Sequence, residues 1–199
     1  MTDIGGPYAD SATLKRRMGI PDSDTTSDTD VADALDSASD DINRWTGRQF
    51  GQATVASERT FRIGPSGVDI DDVWTTDGLI VAGASWTGTG NYTLEPVNGI
   101  RDGVPGWPYE RLSAPYAGHP LSHPLMYGGN ILVTAKWGWA AVPAAVVTAC
   151  LLLAADDLKS KDAPFGVAGF GDYAIRIRAN PKVEQKLRPY ILNPLMVAS

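Results

Sequence analysis

Two histidines and one cysteine are the whole stock of imidazole and thiol in this 199-residue chain. His119 and His123 stand four apart, a spacing that presents two metal ligands on one face of a helix. Pro120 and Pro124 forbid that helix and no Cys is near, so the pair reads as a surface loop. Asp22, Asp24, Asp28 and Asp33 have the outline of a calcium loop. However, Thr26 takes the fifth position, Ser27 stands where glycine is required, and Asp33 replaces the terminal Glu. Loop residues and a helix N-cap at Ser27 or Asp28 fit those side chains better. Gly166, Gly169 and Gly171 match the glycine count of a phosphate loop, but not the order G-x-G-x-x-G, and no Lys-Ser or Lys-Thr follows. Cys150 lies inside an apolar helical stretch and reads as inert core. A hydrolase built on Asp71, Asp72 or a His has no supporting motif. The expectation is a protein that is not an enzyme, without metal or cofactor.

Composition points the same way. The chain is 43% hydrophobic with formal net charge -6, so it can bury a core, and one Cys excludes a disulfide framework or a multi-Cys zinc module. Net negative charge argues against gripping phosphates by bulk attraction. The charge is also divided along the chain. From Met1 to Trp45 stand Asp3, Asp10, Asp22, Asp24, Asp28, Asp30, Asp33, Asp36, Asp40 and Asp41 against Lys15, Arg16, Arg17 and Arg44. From Asp156 onward, Lys159, Lys161, Arg176, Arg178, Lys182, Lys186 and Arg188 outnumber Asp156, Asp157, Asp162, Asp172 and Glu184. Opposite signs at the two ends suit head-to-tail contacts between identical copies.

The N-terminal residues contain neither a basic nor an apolar segment of the signal-peptide kind, so none is expected. Trp137 to Ala155 carries no charge, but Pro143 belongs in the first turn of a helix, which leaves too short an uncharged helix to span a bilayer. No membrane association is expected.

The elements expected to position these residues change in kind along the chain. Tyr8 to Ile20 reads as a short helix capped by Asp10 or Ser11 and ended by Gly19 and Pro21. A second helix runs from Ser27 or Asp28 to Trp45, because Val31, Leu35, Ala38, Ile42 and Trp45 repeat at steps of four and three. From Thr54 to Lys136 short β-type runs appear at 59–63, 78–81, 92–94 and 130–137, with a turn at Asn98-Gly99 and a long loop from Ile100 to Gly129. A third helix spans Pro143 to Lys159 or Ser160. Tyr173 to Arg178 alternates apolar and basic residues as a strand does, and Pro181 to Leu187 forms a last short helix. The fold class expected is therefore α+β: a small bundle of about four helices (residues 1–53 and 137–199) with an inserted antiparallel β-rich subdomain (54–136). The apolar tail Pro189 to Ser199 has no periodic face to bury, so a partner is expected to cover it.

One long segment resembles a known family. It comprises Gly138-Trp139, Val142-Pro143-Ala144-Ala145-Val146, Leu151 to Ala155, Lys159, and Asp162-Ala163-Pro164-Phe165-Gly166-Val167-Ala168-Gly169-Phe170-Gly171-Asp172-Tyr173. The segment is similar to the head-to-tail adaptor (connector, or head completion) proteins of long-tailed bacteriophages, most closely those of phages infecting actinobacteria. Leu14 with Gly19-Ile20, Ile42 with Arg44-Trp45-Thr46-Gly47-Arg48, and Tyr109-Glu110-Arg111-Leu112 support it. The β-rich insert departs from the compact, mostly helical members.

The resemblance implies a structural virion protein of the neck, assembled in the host cytoplasm, with no enzymatic activity. Such adaptors form a ring, usually of about twelve copies, beneath the portal protein. They extend the DNA channel and offer a docking surface to a stopper or tail-completion protein. Genomic DNA passes through the lumen without specific binding, which acidic walls suit. On this reading Pro164, Phe165, Gly166, Val167, Gly169, Phe170, Gly171, Tyr173, Arg176 and Arg178 are candidate subunit or lumen contacts. Pro189, Tyr190, Ile191, Leu192, Pro194, Leu195 and Met196 are candidate portal contacts. The alternative is a nucleic-acid-binding virion or packaging protein using Arg176, Arg178, Lys182, Lys186 and Arg188.

Overall fold

The computed structural model describes residues 4–64, 67–85, 92–113, 129–161 and 173–192. The chain divides into two units, one formed by Ile4 with Gln52–Ala141, the other by Gly5–Gly51 with Val142 onward. The fold is α+β, with helices in the second unit and an antiparallel sheet in the first.

The helical unit begins with α1 (Ser11–Met18), where the Asp10 carboxylate accepts the Thr13 N–H at 2.7 Å and Gly19 ends the helix. Its basic last turn (Lys15, Arg16, Arg17) complements the helix dipole. In α2 (Asp28–Thr46), Ser27 holds the N-cap position without a side-chain cap bond, and Asp28 and Asp30 in the first turn face the dipole instead. Val31, Ala34, Leu35, Ala38, Ile42 and Trp45 form its buried stripe. Gly47, at φ 69°, turns the chain out of the helix in the left-handed region that glycine enters without strain. The α3 helix (Ala144–Lys161) starts after Pro143, whose carbonyl accepts Val146 N–H at 2.9 Å and Val147 N–H at 3.0 Å. Val146, Ala149, Cys150, Leu151, Leu153 and Ala154 are buried, so α3 is apolar over most of its circumference, as a central helix is. It packs on α2 and on α5 (Pro181–Leu187), which buries Val183 and Leu187. No helix among the described residues is long and apolar enough to cross a membrane.

The strand expected at Tyr173 to Arg178 is instead a helix, α4 (Tyr173–Ala179), packed on α2 and α5. Six residues of alternation fit either period. In a body made of helices a lone strand would leave its N–H and C=O groups without ladder partners, whereas a helical turn satisfies them internally.

In the β unit six strands make one antiparallel sheet: β1 (Ser57–Arg62), β2 (Val68–Val81), β3 (Ala84–Ser85), β4 (Thr93–Glu95), β7 (Tyr109–Ser113) and β8 (Asn130–Trp137). The order is β1-β8-β2-β7-β4, and β3 folds back on the end of β2. A separate two-stranded hairpin joins β5 (Ile100–Arg101) and β6 (Val104–Pro105). The 14-residue β2 organises the sheet: its first half pairs with β7 (Val68 opposite Leu112) and its second with β8 (Val81 opposite Val133), with register shifts between. Along β8, Ile131, Val133, Ala135 and Trp137 point into the core, where Val68, Ile70, Val73, Leu79, Leu94 and Leu112 meet them.

Two expectations for this unit change. The described part of the expected 100–129 loop holds the hairpin and β7, an interior strand of the sheet. The expected strand at 78–81 is only the end of β2. Val68-Asp69-Ile70-Asp71 alternates buried and exposed, and buried Asp72 interrupts the alternation in β2. Arg111 and Arg59, on β7 and β1, pair with Asp69 at 2.7 Å and Asp71 at 2.5 Å, and the Trp139 indole N–H, just past β8, donates to Asp72 at 2.8 Å.

Candidate functional site

Among the described residues, those that could bear chemistry do not converge. Asp24 accepts the Thr26 N–H and hydroxyl, which holds its carboxyl below the ordinary range and closes a local turn. Asp28 ion-pairs with Lys15, whose ammonium also donates to the Asp24 carbonyl at 2.8 Å. Asp33 stands on the solvent face of α2. Among the described residues no group of three or more His, Cys, Asp and Glu is placed to hold a metal ion. Cys150 is buried, with its sulfur 3.5 Å from the Ser39 hydroxyl and burial pushing the thiol up, so its thiolate is suppressed. Asp71 and Asp72, adjacent in sequence, hold different partners: Arg59 and the Trp139 indole. His119, His123 and the glycine run 166–171 lie outside the described residues.

Of the candidate subunit contacts, Pro164, Phe165, Gly166, Val167, Gly169, Phe170 and Gly171 also lie outside them, and Tyr173 opens α4. Arg176 has a geometry that its sequence neighbourhood does not reveal. From α4 its guanidinium reaches Asp41 of α2 and Asp157 of α3, both at 2.5 Å, and donates to the Ser37 hydroxyl at 3.3 Å. One cation thus ties three helices together. The Asp41 side chain is 11% exposed and that of Arg176 17%. Desolvation pushes the Asp41 carboxyl up, Asp157 adds to that, and the Arg176 charge pulls it back. Ile177 beside it is fully buried. Arg178 is exposed and lies over the buried Trp45 ring at 5.7 Å.

The described candidate portal contacts are divided between holding and presenting. The Tyr190 ring meets Phe50 edge-on at 5.7 Å, and the Tyr190 carbonyl accepts the Arg48 Nε–H at 2.8 Å. Phe50 in turn meets Tyr8 at 5.6 Å, and the Tyr8 hydroxyl accepts the Phe50 N–H at 2.9 Å. The Leu192 N–H donates to the Thr46 carbonyl at 2.8 Å, with its side chain against Gly47. Pro189 and Leu192 are exposed, Leu192 to 49%. Pro194, Leu195 and Met196 lie outside the described residues. Of the alternative basic set, Lys182 and Arg188 are exposed and Lys186 is half-buried.

The sequence reading did not single out the β5–β6 hairpin. Its turn places Asp102 at φ 51° and Gly103 at φ 78°, as a tight two-residue hairpin requires. Arg101 is 2.9 Å from Glu110 and lies over Trp107 at 4.9 Å, and Trp107 packs on Trp139 at 5.0 Å. This anchored base carries Val97, Ile100 and Val104 out to solvent, each about half exposed. The Asp102-Gly103 dipeptide was the available signal, masked by the Pro and Gly around it.

No protein-family model matches the chain, and no curated protein matches it. Among solved structures, the chain is similar to one in the neck of an empty gene transfer agent particle computed with C6 symmetry: 17% identity and TM-score 0.48, covering 96% of this chain and 92% of that one. It is also similar to one in the virion of the native gene transfer agent particle: 18% identity and TM-score 0.45, covering 89% and 92%. Likeness at this level carries no weight for function.

Proposed function

We propose that the chain is a non-enzymatic structural protein of the neck of a tailed-phage-like particle. It forms a ring of about twelve copies that joins the capsid portal to the tail and extends the DNA channel. The observation that carries this reading is where the resembling segments fall. Leu14 to Ile20 lies in α1 and the turn after it, Ile42 to Arg48 at the end of α2, and Val142 to Ala155 in α3. These segments, remote in sequence, pack together as one helical body. Of the other resembling residues, Tyr109 to Leu112 and Gly138-Trp139 fall in the β unit and 162–172 lie outside the described residues, so it is the three helical segments that describe a body of one kind. The helical parts (1–53 and 137–199) are the adaptor core on this reading, and the β-rich part (54–136) is an insertion.

Exposed Pro189 and Leu192, with the tail beyond them, are assigned to the portal, and the segment before α4 to a subunit or lumen contact. A stopper or tail-completion protein docks on the free end of the ring. The exposed Lys182 and Arg188 are what keeps the nucleic-acid-binding alternative testable. Electron microscopy of particle necks containing the full chain tests the main reading. A ring of this protein below the portal is the expected result; particles that never contain the chain would overturn it. Retardation of DNA at low salt, lost on changing Lys182 and Arg188 to Ala, would favour the alternative.

A further inference from the structure

We infer that the solvent face of α2 and the basic face of α5 are the two halves of one head-to-tail contact between copies of this chain. This inference rests on the ring reading and names the surfaces that build it. Asp33, Asp36 and Asp40 step three and four residues along α2 and all are exposed. They cover about 10 Å of helix at 1.5 Å per residue. Like charges at these spacings oppose the helix that carries them. Among the described residues none of the three has an ion-pair partner, and the one cation continuing the stripe is Arg44, a turn beyond Asp40. On α5 and the turn after it, Lys182, Lys186 and Arg188 span about 9 Å. They also lack ion-pair partners among the described residues, and Glu184, two residues from each lysine, falls on the far side of the helix.

The rest of the protomer shows what this chain does with charges that have a partner within reach. Lys15 with Asp28, Arg176 with Asp41 and Asp157, Arg59 with Asp71 and Arg111 with Asp69 are all paired. Among the described residues Arg16 and Arg17 on α1 also stand exposed without an ion pair, but only the α2 and α5 sets form two stripes of opposite sign and similar length. The helices that carry them both pack on α3 and α4, so each set looks outward from its own flank of the helical unit. Two different faces that complement each other define a heterologous contact, the kind that propagates around a ring. Such charges fix register and partner choice, and apolar surface supplies area. A groove of about 270 Å³ beside Asp33, lined by Ala34 and Leu158, provides it.

The test reverses each face in the full chain and follows entry into particles. Asp33→Lys/Asp36→Lys/Asp40→Lys alone and Lys182→Glu/Lys186→Glu/Arg188→Glu alone are each expected to cut incorporation roughly tenfold, because each sets like charges against like. The chain carrying all six changes is expected to recover incorporation to within about twofold, since complementarity is restored with inverted sign. Unchanged thermal melting of each variant shows that the protomer is intact. As a second readout, Asp36→Cys with Lys186→Cys is expected to give disulfide-linked ladders of copies in particles, with the buried Cys150 silent. Normal incorporation of either single-face variant overturns the inference while leaving the neck reading standing, and so does a six-change chain no better than its parents. Loss of low-salt DNA retardation with incorporation intact would give the basic face to nucleic acid and overturn it too. Absence of the wild-type chain from particles would instead remove the neck reading itself.

Discussion

The two units handle charge in opposite ways. The helical unit draws a guanidinium and two carboxylates inward, where Arg176 joins α2, α3 and α4 through Asp41 and Asp157, and leaves single-sign stripes on its outside. The β unit keeps most of its charges at the surface and pairs them from strand to strand: Arg59 with Asp71, Arg111 with Asp69, Lys136 with Asp77. A sheet presents neighbouring strands as ready partners. A helix meets its neighbours through its buried stripe, so charges in the middle of its outward face have fewer neighbours to pair with than those on a sheet, whereas inward ones must be matched within the protomer. If the proposed contact is right, the better-paired surface belongs to the unit that stays out of it and the unpaired stripes to the unit that makes it.

Removing the central cation is the strongest way to break this contrast. Arg176→Ala leaves the Asp41 and Asp157 carboxylates facing each other in partial burial, at an expected cost of about 3 kcal/mol in chemical unfolding of the full chain. In the β unit the comparable interior group is Asp72, 8% exposed. Asp72→Ala orphans the Trp139 indole N–H, and the expected loss in the same measurement is about 1–3 kcal/mol. Arg111→Ala removes surface pairs, with Asp69, which is 84% exposed, and with Glu95, which is 43% exposed. The expected change is below about 1 kcal/mol and shrinks further with added salt. An effect at Arg111 as large as that at Arg176 would erase the distinction between the units.

The mildest probe is pH. Because the folded state raises the Asp41 carboxyl, it binds that proton more tightly than the unfolded chain does. Asp41 therefore lowers stability at neutral pH, and stability returns as pH falls through the raised value toward the ordinary 3.8. Wild type is expected to gain on Asp41→Asn over that window and to level off below it, read as the difference between their denaturation midpoints. Asp10 and Asp24, held low by their hydrogen bonds to Thr13 and Thr26, have the opposite sign, and both variants share them.

The same difference decides what could be read from the sequence. The α2 helix is legible because one buried stripe at steps of three and four suffices to specify it, and α3 because Pro143 starts an apolar run that only burial explains. The first half of β2 is cut short in the sequence, since Val68-Asp69-Ile70-Asp71 alternates but Asp72 interrupts it, and the burial of Asp72 depends on the distant Trp139 indole. The α4 helix is misread because its two-residue alternation is too short to distinguish periods. Arg176 could be chosen as a residue of interest from its sequence, but its function as a three-helix tie depends on Asp41 and Asp157, which only the tertiary fold brings to it. For the same reason the outward stripes of α2 and α5 were visible in outline as a division of charge between the chain ends, and the residues that make them faces were not.

The contact between Leu192 and Thr46 also sets an order of events during synthesis. All strands of the β unit have left the ribosome once Trp137 has emerged, and that unit can then close on its own contacts. The end of α2 must wait: Phe50 lacks Tyr190 and Thr46 lacks Leu192 until those residues, far along the chain, are made. The helical unit is thus begun first and finished last, with its N-terminal helices holding apolar faces open while the inserted sheet folds. A nascent chain truncated before Arg188 carries a finished sheet and an unfinished bundle, so the helical body closes only after the segment through Leu192 has emerged.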